Sequence, residues 1–322
     1  MFKFSKLKKR ITNVWNYLKY WEQWGEHMVC NGTDNSDLIF YVIRKKAADC
    51  GLLAYYITNL GFIRHAIENG YIPVIDMQNS MIDSLMDDDE LGKVNIWEKY
   101  FLQPCGYGLE DVSRSKNVIL GKDWGLFGND ITFPMYDDDL FNNVNGQREY
   151  WHDLINKYYK LSDDMDEFIK NSYQEILTPE EKVLGVLYRG TDFTSNAPKG
   201  HYISPSFEMM KEKIDEVILN YKVDKIYLAT EDVRFRRYLD DIYPGKIVSV
   251  QNRYVDYKEN SCINNNIPRG LTKYEAGKMY LGSIYILSKS NYLIACRCSA
   301  ASVCACLNTK FDYEYYWNLG KY

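Results

Sequence analysis

Arg189-Gly190-Thr191-Asp192 follows directly on the apolar run Val183 to Tyr188. A guanidinium released at the end of such a run is a planar fork of donors suited to a phosphate or carboxylate. The same arrangement also serves as a strand-end salt bridge, so this motif alone leaves both readings open. Two further segments have the same form. Ile226 to Thr230 runs into Glu231 and Asp232, delivering a hydroxyl and two carboxylates to one edge. Leu293 to Ala295 runs through Cys296-Arg297-Cys298 into Ser299-Ala300-Ala301-Ser302. Small residues at a helix start let backbone N–H groups come close to a phosphate. Each segment also has a plainer role: Thr230, Glu231 and Asp232 make a good helix cap and first turn, and small residues simply pack. Together the three supply a cation, a helix terminus and acids, which are the parts of a cleft for a nucleoside diphosphate.

Other groups are weighed in the same way. His201, in Lys199-Gly200-His201-Tyr202, belongs to a loop expected to hang over that cleft, where an imidazole can act as general base or donate to a phosphate. Asp192 is the alternative base, or serves to orient Arg189, and the residues alone do not separate the two. Asp87-Asp88-Asp89 and Asp137-Asp138-Asp139 each contain D-x-D, a metal-binding pattern that belongs at the end of an apolar strand. Both runs sit in polar surroundings and read as solvated acids, so no metal is expected. Cys296, Cys298, Cys304 and Cys306 fit no common structural zinc spacing and read as small buried residues.

The elements that must position these groups alternate. Strands are expected at Val183–Tyr188, Lys225–Ala229, Ile247–Val250 and Tyr292–Ala295, with helices over Ser206–Asn220, Val233–Tyr243, Tyr274–Ser288 and Ser299–Asn308. Alternation of this kind gives a parallel, doubly wound α/β sheet whose ligands bind at the carboxyl ends of the strands. Upstream, a first α/β unit begins near Gly51, with a helix over 52–69 capped at Gly70 and a strand Ile72–Asp76 ending in an acid. A short helix at Asn95–Phe101, a strand at Val118–Leu120 and a long helical stretch Gln147–Leu177 complete that half.

At 322 residues the chain has room for two such domains, and a net charge of −5 argues against a nucleic-acid binder. No uncharged apolar stretch reaches the ~20 residues of a membrane span, and no secretory h-region follows the basic start, so a cytoplasmic setting is expected. Residues 1–25 mix Lys3, Lys6, Lys8, Lys9 and Arg10 with aromatics. Such a helix can lie in an anionic membrane interface as a peripheral contact, or dock its aromatics on the body of the protein.

The ordered trio resembles the α-1,6-fucosyltransferase superfamily, which includes Nod-factor and protein O-fucosyltransferases, and looks closest to bacterial members associated with surface polysaccharides. Leu187–Asp192 stands where that family has H-x-R-R-x-D, Tyr227–Asp232 where it has Y-L-A-T-D-D, and Ser288–Ser299 where it has S-x-A-D-F-L-V-C-T-x-S-S. Cys50-Gly51-Leu52 and Gly70–Asp76 resemble its first α/β unit. The resemblance implies a GT-B fold, with two Rossmann-like domains whose parallel sheets face each other across a cleft. It implies an inverting, metal-independent transfer of fucose or a related deoxyhexose from a GDP-sugar, in that family GDP-fucose, to a glycan acceptor.

On this basis the domains are 1–30 (basic aromatic helix), 31–177 (acceptor side), 178–310 (donor side) and 311–322 (tail). Arg189 would contact the donor diphosphate, with Asp192 and His201 as the other catalytic residues. Gly190, Thr230, Glu231, Asp232, Arg297 and Ser299 would line the donor site, and Gly51 and Asp76 would face the acceptor. Leu187 occupies the family's histidine position, Gly190 its second arginine and Ser283 an aspartate, leaving Arg297 or Lys199 to supply the missing positive charge. A different nucleotide-sugar donor, or a non-catalytic nucleotide-sugar-binding assembly partner, are the alternative readings.

Overall fold

The computed structural model describes residues 18–20, 22–45, 51–79, 85–123, 131–135, 138–250 and 270–322. Cys50, Asp137 and most of the basic N-terminal helix lie outside the described residues. Two sheets organise the chain.

The first is built from β1 (His27–Val29), β2 (Phe40–Arg44), helix α1 (Leu52–Glu68), β3 (Ile72–Asp76), α2 (Ile96–Tyr100), α3 (Leu109–Arg114) and β4 (Val118–Leu120), with strand order β1-β4-β2-β3. β2 pairs parallel with both β3 and β4, whereas β1 is an antiparallel edge. α1 ends as expected, with Gly70 turning out of the helix at φ +75°. Strands β1 and β2 were not anticipated upstream of Gly51.

Helices α4 (Asp138–Phe141), α5 (Gln147–Tyr158) and α6 (Asp163–Ile176) lead to the second sheet. The long helix expected over Gln147–Leu177 is therefore two. The break falls before Ser162, whose side chain caps α6 by accepting from the Met165 N–H, with Asp163 and Asp164 in the first turn.

The second sheet follows from β5 (Val183–Tyr188), α7 (Asp192–Asn196), α8 (Phe207–Asn220), β6 (Lys225–Thr230), α9 (Val233–Ile242), β7 (Ile247–Val248), α10 (Lys273–Leu287), β8 (Tyr292–Cys296), α11 (Ser299–Leu307) and β9 (Tyr313–Trp317). Its order is β7-β6-β5-β8-β9, and every pair is parallel. Residues 311–322, expected as a tail, instead carry β9, which extends the sheet beside β8. Arg148 of α5 fixes that strand: it is buried, and its guanidinium grips both Glu314 carboxylate oxygens at 2.6 Å.

Alternation along the strands sorts side chains between two cores. Val183, Leu187, Tyr227, Ala229, Leu293 and Ala295 face one cluster, which also takes in α1, α2, α10 and α11 and so joins the two halves. Leu184, Val186, Tyr188, Ile226, Leu228, Ile294 and Cys296 face another, under α8 and α9. The halves approach closely where α10 meets α2: a Cβ on Gly277 would sit 2.1 Å from the Tyr100 hydroxyl.

Candidate active site

The strand order β7-β6-β5-β8-β9 reverses direction between β5 and β8. In an open α/β sheet the crevice outside the carboxyl ends of the strands at such a point is where ligands bind. Arg189 leaves β5 and Arg297 leaves β8 on either side of it. The register pairs Leu187 with Ala295, so the two arginines lie level at the tips of adjacent strands. Both follow the alternation of the face shared with the first half, and so does Glu231 beyond β6.

Arg189 is the best-held side chain in this crevice. Its guanidinium pairs with Glu231, meets Asp192 Oδ1 at 2.6 Å and donates to Thr191 Oγ1 at 3.1 Å. It also lies 4.3 Å over the Phe193 ring, and its carbonyl accepts from Ser204 Oγ at 2.6 Å. Burial works against the charge, but Glu231 and then Asp192 outweigh it, so the pKa rises and the guanidinium is fixed as a cation. Glu231, expected at the nucleotide end, is thus first of all the partner of Arg189, and its Oε1 also accepts from the Gly190 N–H at 3.0 Å.

Thr191 completes the turn with φ 49°, a left-handed conformation rarely adopted by a buried β-branched residue. Such conformations cost about 1–3 kcal/mol and persist only where the surroundings over-determine them. Here the hydroxyl lies within hydrogen-bond reach of Arg189, Glu231 and Asp192.

Asp232 takes the plainer of its two expected roles. Fully buried, it caps α9 by accepting from the Arg234 N–H at 2.9 Å and pairs with the Arg234 guanidinium. Burial raises its pKa, but the Arg234 contacts prevail and hold it below the usual carboxylate range. This carboxylate also explains Gly190: a Cβ there would lie 2.4 Å from Asp232 Oδ2. A side chain at that position would have to push this carboxylate aside. Thr230 accepts from the Asp232 N–H at 3.1 Å, which makes it part of the same cap.

His201 is half-buried, its ring edge-on to Phe193 at 4.8 Å. Burial, then the nearby Arg189 charge, lower its pKa, so it is neutral at neutral pH. Lys199 is exposed in the preceding turn. Ser299 opens α11 directly after Arg297, with Cys298 at the N-cap position. Arg297 itself pairs with Asp138 of α4, an acid that is exposed as expected and serves in addition as an ion-pair partner. In the other D-x-D run, Asp87 accepts from the Lys273 N–H at 3.1 Å and Asp88 pairs with Lys273.

The residues assigned to the acceptor side do not join this cluster. Gly51 is the N-cap residue of α1. Asp76 accepts from the Gln78 and Asn79 N–H groups at 3.0 and 2.9 Å, a local turn after β3. Cys296, Cys298, Cys304 and Cys306 are buried thiols with pKa values pushed up by burial, and no metal-holding cluster occurs among the described residues. Sequence reading missed Ser204 and Tyr202, whose contacts with Arg189 and Arg297 are made by loop residues that carry no motif.

The fold is GT-B. The chain superposes on the fucosyltransferase NodZ from Bradyrhizobium with a TM-score of 0.50 at 15% identity, covering 83% of this chain and 92% of that one. An Arabidopsis thaliana FUT1 variant in complex with GDP aligns at TM-score 0.48 and 12% identity over 95% and 74% of the two chains. POFUT1 in its apo form aligns at TM-score 0.44 and 11% identity over 88% and 99%. No protein-family model matches the sequence, and no curated protein matches it significantly.

Among the described residues no helix is long and apolar enough to cross a membrane. Of the N-terminal aromatics, Tyr20 donates to Asp123 Oδ1 at 2.8 Å, and Trp24 lies under the Arg44 guanidinium at 5.1 Å. These two dock on the body of the protein.

Proposed function

We propose that this protein is an inverting glycosyltransferase that transfers fucose or a related deoxyhexose from a GDP-sugar to a glycan acceptor. The observation that carries the reading is Arg189, a partly buried cation at the turning point of the second sheet, oriented by Glu231 and Asp192. The sequence resemblance supplies the donor class, and the fold shared with a fucosyltransferase supports it.

In this reading the acceptor hydroxyl oxygen attacks the anomeric carbon of the donor sugar. The bond from that carbon to the β-phosphate oxygen breaks, GDP departs with the bonding pair, and the acceptor proton passes to a base. Charge grows on the leaving phosphate as the bond breaks, so a preoriented guanidinium stabilises the transition state more than the ground state. Asp192 is engaged with Arg189 and acts as its positioning residue, alongside Glu231. His201, neutral at neutral pH, takes the proton. The Ser299 end of α11 faces the diphosphate with its N–H groups. The nucleoside lies toward Thr230 and the β6 edge, while Gly51 and Asp76 serve the acceptor side.

The donor-side and acceptor-side domains are 178–310, extended by β9, and 31–177. The acceptor belongs to surface-polysaccharide or glycoconjugate assembly in a bacterial cytoplasm. Lys3, Lys6, Lys8, Lys9 and Arg10 would hold the chain at an anionic membrane. Loss of co-sedimentation with anionic vesicles after deletion of residues 1–17 supports that attachment, and unchanged or absent co-sedimentation overturns it.

The transfer reaction is tested by GDP release from GDP-fucose with a panel of glycan acceptors. Acceptor-dependent release supports the proposal. Nucleotide binding without release by any acceptor would favour a non-catalytic partner, and release from UDP- or dTDP-sugars alone would keep the fold and discard fucose.

A further inference from the structure

Arg297 stands at the end of β8, level with Arg189 on β5 and on the same face of the sheet. It is 7% exposed, yet among the described residues its Nε has no hydrogen-bond partner. A buried N–H of a charged group left unsatisfied is costly, and it marks a place where another acceptor fits. The remaining contacts of the guanidinium among the described residues are few. Nη1 pairs with Asp138 Oδ1 and reaches the Tyr202 hydroxyl at 3.4 Å, and the plane lies 4.9 Å from the Phe141 ring and 5.3 Å from the Tyr202 ring.

The two partners of this ion pair differ sharply. The Asp138 side chain is 61% exposed while that of Arg297 is 6% exposed. A carboxylate in water holds a guanidinium weakly. Two further positive poles lie near Arg297: α11 begins two residues later, and Lys321 Nζ sits 4.7 Å over the Tyr202 ring. Gly190, meanwhile, carries no cation, and a side chain there would first have to displace the Asp232 carboxylate.

We infer that Arg297 is the second cation for the donor diphosphate, supplying from β8 a charge that Gly190 does not, and that Asp138 and the diphosphate compete for it. The inference rests on the donor reading above. Asp138 comes from the first half of the chain and Arg297 from the second, so donor binding and the contact between halves are coupled through this pair.

Calorimetric titration of GDP and inorganic pyrophosphate, with guanosine as control, tests it. Asp138→Asn, a conservative change at an exposed group, should bind both phosphate ligands severalfold more tightly. Arg297→Ala and Arg297→Lys should bind them roughly ten- to hundredfold more weakly. Guanosine should be unaffected by either change. Unchanged phosphate affinity in Asp138→Asn overturns the inference whatever Arg297→Ala does, because a loss alone is what a folding defect would also give. GDP binding that needs Arg189 but ignores Asp138 and Arg297 removes this inference and leaves the donor reading standing. No GDP binding by the unaltered protein removes both.

Discussion

Glu231, one residue beyond β6, holds Arg189, one residue beyond β5, in a partly buried ion pair across the tips of two adjacent parallel strands. Asp192 closes on the same guanidinium at 2.6 Å from the opening turn of α7. Two carboxylates on one cation keep the group charged and hold its planar fork in one orientation.

Removing the cation should therefore be costly twice. Arg189→Ala leaves the partly buried Glu231 and the buried Asp192 without their partner, and losing charge-assisted hydrogen bonds of this kind costs about 1.5–3 kcal/mol. Urea unfolding would measure this, and Arg189→Met combined with Glu231→Gln should recover part of the loss. Arg189→Lys keeps the charge and loses the fork. It should stay folded while GDP-fucose turnover falls by about 10²- to 10³-fold.

Gly190→Ala should destabilise without touching any ligand group. The added Cβ meets Asp232 Oδ2 at 2.4 Å and Tyr188 Cε1 at 2.8 Å, so the α9 cap has to move. Overpacking costs about 1–3 kcal/mol and a lost cap about 1 kcal/mol more. A denaturant midpoint equal to that of the unaltered protein would contradict the close approach.

The pH dependence has a definite sign. His201 has a folded pKa below its ordinary value of about 6.5, chiefly through burial and then through Arg189. Between the two values the unfolded chain binds more protons than the folded one. Its contribution to stability is thus intact above about 6.5 and declines as pH falls toward the folded pKa. With neutral His201 as base, the acid limb of kcat/KM lies below pH ~6.5 and vanishes in His201→Gln along with most activity. An unmoved acid limb in that variant would reassign the base.

Arg148 is a structural clamp. Its side chain is 2% exposed, and besides Glu314 it donates to the Leu140 carbonyl at 2.8 Å. Arg148→Met should lower stability by about 3–5 kcal/mol and free β9. Amide exchange across 313–317 would report the release, and protection unchanged from the native protein would argue against the clamp.

Much of the second half is legible in the sequence because β5, β6 and β8 are short apolar runs, each ending in a group that cannot be buried alone. The motifs mark their own strand tips. What they cannot reveal is which tips touch: Arg189 and Glu231 are 42 residues apart in sequence and meet only through the parallel register of β5 and β6. Asp138 reads as a solvated acid and is exposed, but its ion pair goes unseen because the partner lies 159 residues away. β9 reads as a tail because Tyr313-Glu314-Tyr315-Tyr316-Trp317 has no local partner; pairing with β8 and Arg148 makes it a strand. β2 goes unseen although Phe40 to Ile43 is a continuous apolar run, since no turn residue separates it from the basic segment that follows. The break at Ser162 was available in its capping chemistry, but the apolar spacing runs through it.

The most direct test of the central claim is thermal stabilisation by GDP, UDP, CMP and dTDP, with their sugars, of the unaltered protein and of Arg189→Lys. The account predicts stabilisation by GDP and GDP-fucose that is largely lost in Arg189→Lys. Stabilisation by GDP that survives undiminished in that variant, or no stabilisation by any guanine nucleotide, would contradict it.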